Sequence, residues 1–204
     1  MVKFVATSLA ESEQLADLLR QRRDYPERGH EVDAEIRDRF LTTCAIVVLD
    51  MSDFSRLTYA HGIITTLQQI QTMHDVAVPL IQQSHGKVLK AEADNLYAAY
   101  STADEALAAM EALMSQLNEI DIHISVGIGY GEVLLIGDRN LFGHEMNLTS
   151  KLGEDLARDD EILLTESAYL ALSTPGRQFK RITQAIADVT CTYYAVTGMV
   201  EREG

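Results

Sequence analysis

The chain has 204 residues, of which 47% are hydrophobic and 24% charged, and this composition is typical of one globular domain. Its net charge of -14 at pH 7 argues against a nucleic-acid-binding surface, because contacts to phosphate backbones require clustered lysine and arginine. Cys44 and Cys191 are far apart and indicate neither a disulfide framework nor a zinc site. No apolar run approaches the roughly 20 residues that span a bilayer, and no signal-peptide pattern is present, so we expect a cytoplasmic protein without membrane contact.

The amino-terminal residues 1–40 are rich in charged side chains and predict a helical arm. Leucines such as Leu15 and Leu18 recur at helical spacing, and Pro26 and Gly29 predict a break between two helices. We interpret this stretch as a packing arm or stalk that precedes a second unit over residues 41–204.

The hydrophobic pattern of the second unit predicts elements in the order strand, helix, strand, strand, helix, strand. Its first strand is a continuous apolar run that ends in Asp50, as expected of a strand buried on both faces. The six elements are predicted at residues 44–49, 59–84, 87–91, 96–100, 103–117 and 122–128. This order is typical of an α+β fold with a ferredoxin-like βαββαβ core, in which helices cover one face of an antiparallel sheet.

The carboxyl-terminal part predicts extra α/β elements. Three alternating glycines, Gly127, Gly129 and Gly131, predict the turn of another hairpin whose second strand is the apolar run at residues 133–136. The remaining elements are a helix and two strands, predicted at residues 145–156, 162–164 and 190–196.

Three motifs lie at the ends of these elements. The stretch Leu49–Ser55 reads L-D-M-S-D-F-S, Gly86–Asp94 reads G-K-V-L-K-A-E-A-D, and Gly143–Leu152 reads G-H-E-M-N-L-T-S-K-L. In this order they resemble the strand-end, hairpin and helix motifs of class III adenylate and guanylate cyclases, and the resemblance covers roughly residues 44–172.

The resemblance implies a divalent-metal site at Asp50 and Asp94, to which the backbone carbonyl of Met51 adds a ligand. Two ions, Mg²⁺ or Mn²⁺, prefer such oxygen ligands and neutralise the charge of a triphosphate. One aspartate at a strand end usually caps a turn, but two acids at the matching positions favour the metal site. Asp53 aligns where the family usually has glycine, so we interpret it as a departure and not as a ligand.

The resemblance also implies four substrate contacts. Lys90 matches the family's base-contacting lysine, and Asn140 stands where adenylyl cyclases often have a polar partner for the base, which favours adenine. Asn147 and Lys151 match the asparagine and arginine that face the substrate from one helix. Lysine keeps the positive charge of that arginine but loses its planar fork, so activity could be lowered. The alternative for these residues is a solvated polar surface.

The family site is shared between two subunits, so the resemblance implies a homodimer with two equivalent sites. The sequence thus predicts a signal-transduction lyase, an adenylate cyclase that converts ATP to cyclic AMP and diphosphate; another nucleoside triphosphate is the alternative substrate. The alternative function is a cyclase-homology module that binds nucleotide or dimerises without turnover. It is favoured by Lys151, by Ala93, and by Lys180 and Arg181, which do not align with the family's carboxyl-terminal phosphate-binding lysine.

Overall fold

A computed structural model describes residues 2–52, 54–137, 139–173, 176–186 and 189–199. No helix in these ranges is long and apolar enough to cross a membrane. In chain order the elements are α1 (Val2–Asp24), a 3-10 helix (Pro26–Arg28), α2 (Gly29–Phe40), β1 (Leu41–Met51), α3 (Phe54–His61), α4 (Ile63–Gln83), β2 (Lys87–Glu92), β3 (Asn95–Tyr100), α5 (Ala103–Asn118), β4 (Ile124–Ile136), β5 (Asn140–Phe142), α6 (His144–Ser150), a π-helical turn (Lys151–Leu156), β6 (Ile162–Thr165), α7 (Glu166–Ala171), β7 (Arg177–Ile186) and β8 (Val189–Met199).

One sheet organises the chain, with the strand order β2-β3-β1-β4-β6-β8-β7, and β5 pairs with β4. The pairs β2–β3, β3–β1 and β1–β4 are antiparallel, whereas β4 and β6 run parallel. Together with the crossover helices α4 and α5, the strands β1 to β4 form the ferredoxin-like βαββαβ core that the sequence predicted. The α+β fold class is therefore confirmed.

The central strand β1 is buried on both faces, as its continuous apolar run predicted. Val47 and Leu49 belong to the main core beneath α4 and α5, whereas Ile46 and Val48 contact residues of α6 and β4 on the opposite face. Since side chains alternate along a strand, Asp50 points to the same side as Ile46 and Val48. The predicted metal ligand thus lies on the α6 side of the sheet.

Local signals fix the start of α5. The Thr102 hydroxyl accepts a hydrogen bond from the backbone nitrogen of Glu105, and the Glu105 side chain accepts one from the backbone nitrogen of Thr102. This reciprocal pair satisfies donors that the first helical turn leaves free. The face that α5 then buries consists of Ala106, Leu107, Met110, Leu113 and Leu117.

The hairpin predicted at Gly127, Gly129 and Gly131 is wrong, because β4 is one continuous strand through all three positions. A Cβ atom at Gly127 would lie 2.7 Å from the backbone nitrogen of Gly153 and would also clash with the carbonyl oxygen of Thr149. The glycines therefore let α6 and the π-helical turn approach the sheet, and the true hairpin joins β4 to β5.

Two predicted helices have different bounds in the structure. The single helix expected over residues 59–84 is divided at Gly62, whose φ of +81° interrupts the chain between α3 and α4, while Pro79 lies inside α4. The helix expected over 145–156 is α-helical only to Ser150 and continues as the π-helical turn. The elements α7 and β7 were not predicted.

The amino-terminal arm forms two helices that meet at the predicted break around Pro26 and Gly29. Its apolar side chains pack on the end of β4 in a small separate cluster made by Leu18, Val32, Ile36, Phe40 and Ile136. The helix α2 ends at Phe40 and β1 begins at Leu41 without a connecting loop. A division into an arm of residues 1–40 and a domain of residues 41–204 stays a proposal.

Candidate active site

The two predicted metal ligands lie on adjoining parts of the sheet. Asp50 is near the end of β1, opposite Asn95 of β3, and Asp94 lies in the turn between β2 and β3. The backbone nitrogen of Met51 donates a hydrogen bond of 3.0 Å to the carbonyl oxygen of Asp94. Ala93 has a φ of +51°, which makes the turn tight. The backbone itself thus holds both carboxylates at the same end of the sheet.

The surroundings of Asp50 are acidic. Burial raises the pKa of its carboxyl group to about 7, with further contributions from the negative charges of Asp94, Glu154 and Asp155. A divalent cation would favour the ionised form and offset this repulsion. Among the described residues, no three His, Cys, Asp or Glu side chains are arranged to hold an ion. Two carboxylates fit an ion such as Mg²⁺, which completes its shell with water and phosphate oxygens.

Three of the four predicted substrate residues line one cavity. Lys90 of β2, Asn140 of β5 and Asn147 of α6 surround a space of about 300 Å³ between these elements. Asn140 and Asn147 lie on consecutive elements, whereas Lys90 comes from a distant part of the chain and is brought to them by the fold. The cavity also has apolar walls, to which Tyr97 and Phe142 contribute. An apolar cleft with a few convergent polar groups is the usual form of a small-molecule site.

Tyr97 is a cavity residue that the sequence reasoning missed. It pairs with Lys90 across β2 and β3, and the Lys90 Nζ lies 5.6 Å from the centre of its ring. The Tyr97 hydroxyl donates a hydrogen bond of 2.8 Å to Glu154, and the pKa of Tyr97 is raised by burial and by this carboxylate. Lys90 also forms an ion pair of 2.7 Å with Glu92. The sequence could have indicated Tyr97, because side chains alternate along a strand and Tyr97 lies opposite Lys90 in the β2–β3 hairpin.

Lys151 stands apart from the other predicted substrate residues. It begins the π-helical turn four residues after Asn147, but it does not line the cavity that contains Lys90. Its exposed ammonium group pairs with Asp155, which raises the pKa of Lys151. The structure therefore brings three of the predicted substrate residues together, whereas the fourth lies outside their cavity, four residues after Asn147.

The segment that carries Asn147 is fixed to the sheet by polar contacts. The Glu145 carboxylate accepts hydrogen bonds from the backbone nitrogen of Tyr130, at 3.1 Å, and from the Thr165 hydroxyl. The Ser125 hydroxyl donates a hydrogen bond of 2.8 Å to the carbonyl oxygen of Gly153. Glu145 gave no signal in the sequence, because its partners lie on two other strands.

Lys180 and Arg181 do not line this cavity. Lys180 and Arg181 are exposed on β7, at the opposite edge of the sheet from β2. Asp53 lies outside the described residues.

No protein-family model and no curated protein sequence matches the chain. Solved structures match its fold. The guanylate cyclase domain of RhGC from Catenaria anguillulae, in complex with GTP, has a TM-score of 0.68 at 13% identity and covers 77% of this chain and 97% of that chain. The adenylyl cyclase CyaB from P. aeruginosa matches with a TM-score of 0.67 at 15% identity, and the match covers 80% of this chain and 99% of the CyaB chain. An adenylate cyclase from Trypanosoma brucei in its monomeric state matches with a TM-score of 0.66 at 15% identity, and the match covers 79% of this chain and 91% of that cyclase chain.

At these identities the likeness is one of fold. The chain has the fold of the class III nucleotidyl cyclase domain, which confirms the resemblance found in the three motifs. Adenylyl and guanylyl cyclases both match, so the fold by itself does not select a base.

Proposed function

We propose that this protein is a cytoplasmic adenylate cyclase, which converts ATP to cyclic AMP and diphosphate with two divalent cations at the interface of a homodimer. The observation that carries the proposal is the shared cavity of Lys90, Asn140 and Asn147. Three polar residues from separate elements converge on one cleft that also has apolar walls. A nucleotide with a flat base and a polar ribose matches this combination.

The proposed dimer is supported by the different chemistry of the two half-sites. Asp50 and Asp94 form an acidic end of the sheet, whereas the cavity carries Lys90 and neutral amides. In the proposed assembly, the carboxylates of one subunit face the cavity of the other, so each subunit contributes half of two equivalent sites. A homodimer then has two complete sites.

In the proposed reaction, the ribose 3′-oxygen of ATP attacks the α-phosphorus, and the bond from that phosphorus to the bridging oxygen of the diphosphate breaks. The hydroxyl proton leaves to solvent and diphosphate departs. Bound Mg²⁺ or Mn²⁺ supplies charge neutralisation and lowers the pKa of the attacking hydroxyl. Asp50, Asp94 and the Met51 carbonyl hold the cations, Asn147 orients the ribose, and Lys151 offsets the charge that develops on the phosphate.

Base selection rests on Lys90 and Asn140 in this proposal. Adenine presents an amino donor and a ring-nitrogen acceptor, and the amide of Asn140 can accept from the first while donating to the second. The same amide could turn over and pair with guanine. ATP is the substrate we propose, because Asn140 stands where adenylyl cyclases often have a polar base partner.

The direct test incubates the purified protein with each of the four ribonucleoside triphosphates and Mg²⁺ or Mn²⁺. Cyclic products and diphosphate are then identified by chromatography. We expect cyclic AMP from the wild-type protein and none above background from Asp50→Asn, which keeps the side-chain shape but removes the charge. Glu119→Gln, which neutralises an exposed carboxylate outside the site, is the matched control and should retain full activity.

A second candidate is a module that binds nucleotide without turnover. It is favoured by the ion pair between Lys151 and Asp155, which occupies the only cation at the family's arginine position. Absence of any cyclic product from a confirmed dimer at high protein concentration, together with measurable binding of ATP, would overturn the enzyme in favour of this module.

A further inference from the structure

The amino-terminal arm makes a polar contact with the turn that precedes Asn140. The Glu11 carboxylate of α1 accepts a hydrogen bond of 2.7 Å from the backbone nitrogen of Gly137. Gly137 is buried and has a φ of +61°, a conformation that favours glycine. A buried backbone donor needs a partner, and Glu11 supplies it from a different part of the chain.

Apolar packing reinforces this contact. Leu18 of α1 is 4% exposed, and it shares a cluster with Ile136 at the end of β4, against which Leu15 and Leu134 also pack. Glu11, Leu15 and Leu18 are spaced by four and three residues, so one face of α1 makes all of these contacts. The arm therefore holds both the last residues of β4 and the turn that follows them.

The position of Asn140 depends on that turn. Asn140 pairs with Ile136 and Phe142 pairs with Leu134 across the hairpin of β4 and β5. The strand β5 has only three residues, and within the described part of the chain its strand partner is β4. Any shift of the turn at Gly137 is thus passed directly to Asn140.

A space between the arm and the sheet borders this hairpin. A cavity of about 560 Å³ separates part of the arm from the sheet and is lined by residues that include Leu19, Ile36 and Phe142. Phe142 lines the cavity of Lys90 and Asn147 as well. The half-exposed side chain of Phe142 is therefore common to the space under the arm and the space proposed for the nucleotide.

We infer that the arm is a positioning element for the base half of the site, in which Glu11 fixes the Gly137 turn and thereby Asn140. The inference rests on the proposed function and deepens it. Displacement of the arm changes nucleotide affinity through Asn140 and leaves Asp50 and Asp94 in place. Glu11 is a positioning residue and not a catalytic one.

Amide hydrogen exchange on the full-length protein tests the contact without turnover. In Glu11→Ala, we expect exchange of the amides of residues 137–142 to accelerate on the order of tenfold, because the Gly137 donor loses its partner. Glu11→Gln keeps an acceptor oxygen and should restore slow exchange. Glu13→Ala, at an exposed position of the same helix, is the matched control. Unchanged exchange at the turn, or uniform acceleration throughout the chain, overturns the inference.

Binding and kinetics test the link to the nucleotide. We expect Glu11→Ala to weaken ATP binding about fivefold, as measured by calorimetry in the presence of Ca²⁺. In the kinetic assay, the same variant should raise KM more than it lowers kcat. Glu11→Gln should restore both quantities. An unchanged Kd in Glu11→Ala overturns the inference. A wild-type protein that binds ATP but forms no cyclic product contradicts the proposed function alone, since the Kd comparison still decides the role of Glu11.

Discussion

The metal half and the base half of the proposed site differ in how the fold builds them. Asp50 and Asp94 adjoin through the ladder of β1 and β3 and one backbone hydrogen bond, so the sheet determines their positions. Lys90, Asn140 and Asn147 come from a hairpin, a three-residue strand and a helix. The positions of the two carboxylates therefore depend on strand pairing, whereas the base half also depends on packing between β2, β5 and α6.

The two halves also differ in charge. Asp50 lies among further carboxylates, and the cavity of the base half contains Lys90. Each half lacks the groups that the other supplies, which is the arrangement expected if two copies of the chain complete each other's site.

The largest effects are expected when the metal half and the base half are each disrupted by a separate substitution. Asp50→Asn and Asn147→Ala should each reduce cyclic AMP formation by about 100-fold or more, because each homodimer then carries the same defect in both sites. Coexpression of the two variants with different affinity tags should recover about a quarter of wild-type activity, since half of the dimers are mixed and each mixed dimer has one intact site. Turnover of the unfractionated dimers measures this recovery.

A matched mixture gives the control. Asp50→Asn coexpressed with Asp94→Asn places both changes in the metal half, so each site of the mixed dimer keeps one defect and activity should not recover. Equal results from the two mixtures would contradict a site shared between subunits and would place all of the named residues in one chain's own site.

The second prediction concerns the support of α6. A methyl group at Gly127 would clash with the backbone of Thr149 and Gly153, whereas at Gly131 the nearest atom, in Glu145, would be 3.5 Å away. Gly127→Ala should lower the free energy of unfolding in urea by about 2–4 kcal/mol, and Gly131→Ala by less than about 1 kcal/mol. A loss of less than about 1 kcal/mol in Gly127→Ala would contradict the prediction and would show that α6 moves away from the sheet at little cost.

Much of the core was predictable because its signals are local. The apolar run of β1 and the amphipathic pattern of α5 each follow from a period that the chain repeats over several turns or residues. The glycines of β4 were misassigned, because alternating glycines have the same composition as a turn, and their actual role depends on a helix packed against them. The helix α7 and the strand β7 gave no sufficient local pattern.

The site residues also divide into those that a local motif indicates and those that depend on distant contacts. Asp50 and Asp94 could be chosen from motifs that place an acid at each strand end, and the structure brings both to the same end of the sheet. Tyr97 and Glu145 were missed, because their importance comes from Glu154 and from other partners that are distant in the sequence. Sequence reasoning could identify residues that carry charge at an element's end, but not residues whose role is to hold another element in place.

The smallest expected effect concerns Lys151, which follows Asn147 by four residues and lies outside the cavity. Its ion pair with Asp155 joins side chains that are 49% and 51% exposed, and such exposed pairs contribute little to stability, so a bound phosphate can displace Asp155. Lys151→Arg should raise kcat about threefold, because the guanidinium offers a planar pair of donors to phosphate oxygens, and KM should change little. Lys151→Gln, which removes the charge, should lower kcat about tenfold and serves as the opposite control. A kcat that is the same in all three proteins would mean that Lys151 makes no contact with the reacting phosphate, and charge stabilisation would then have to come from the metal half alone.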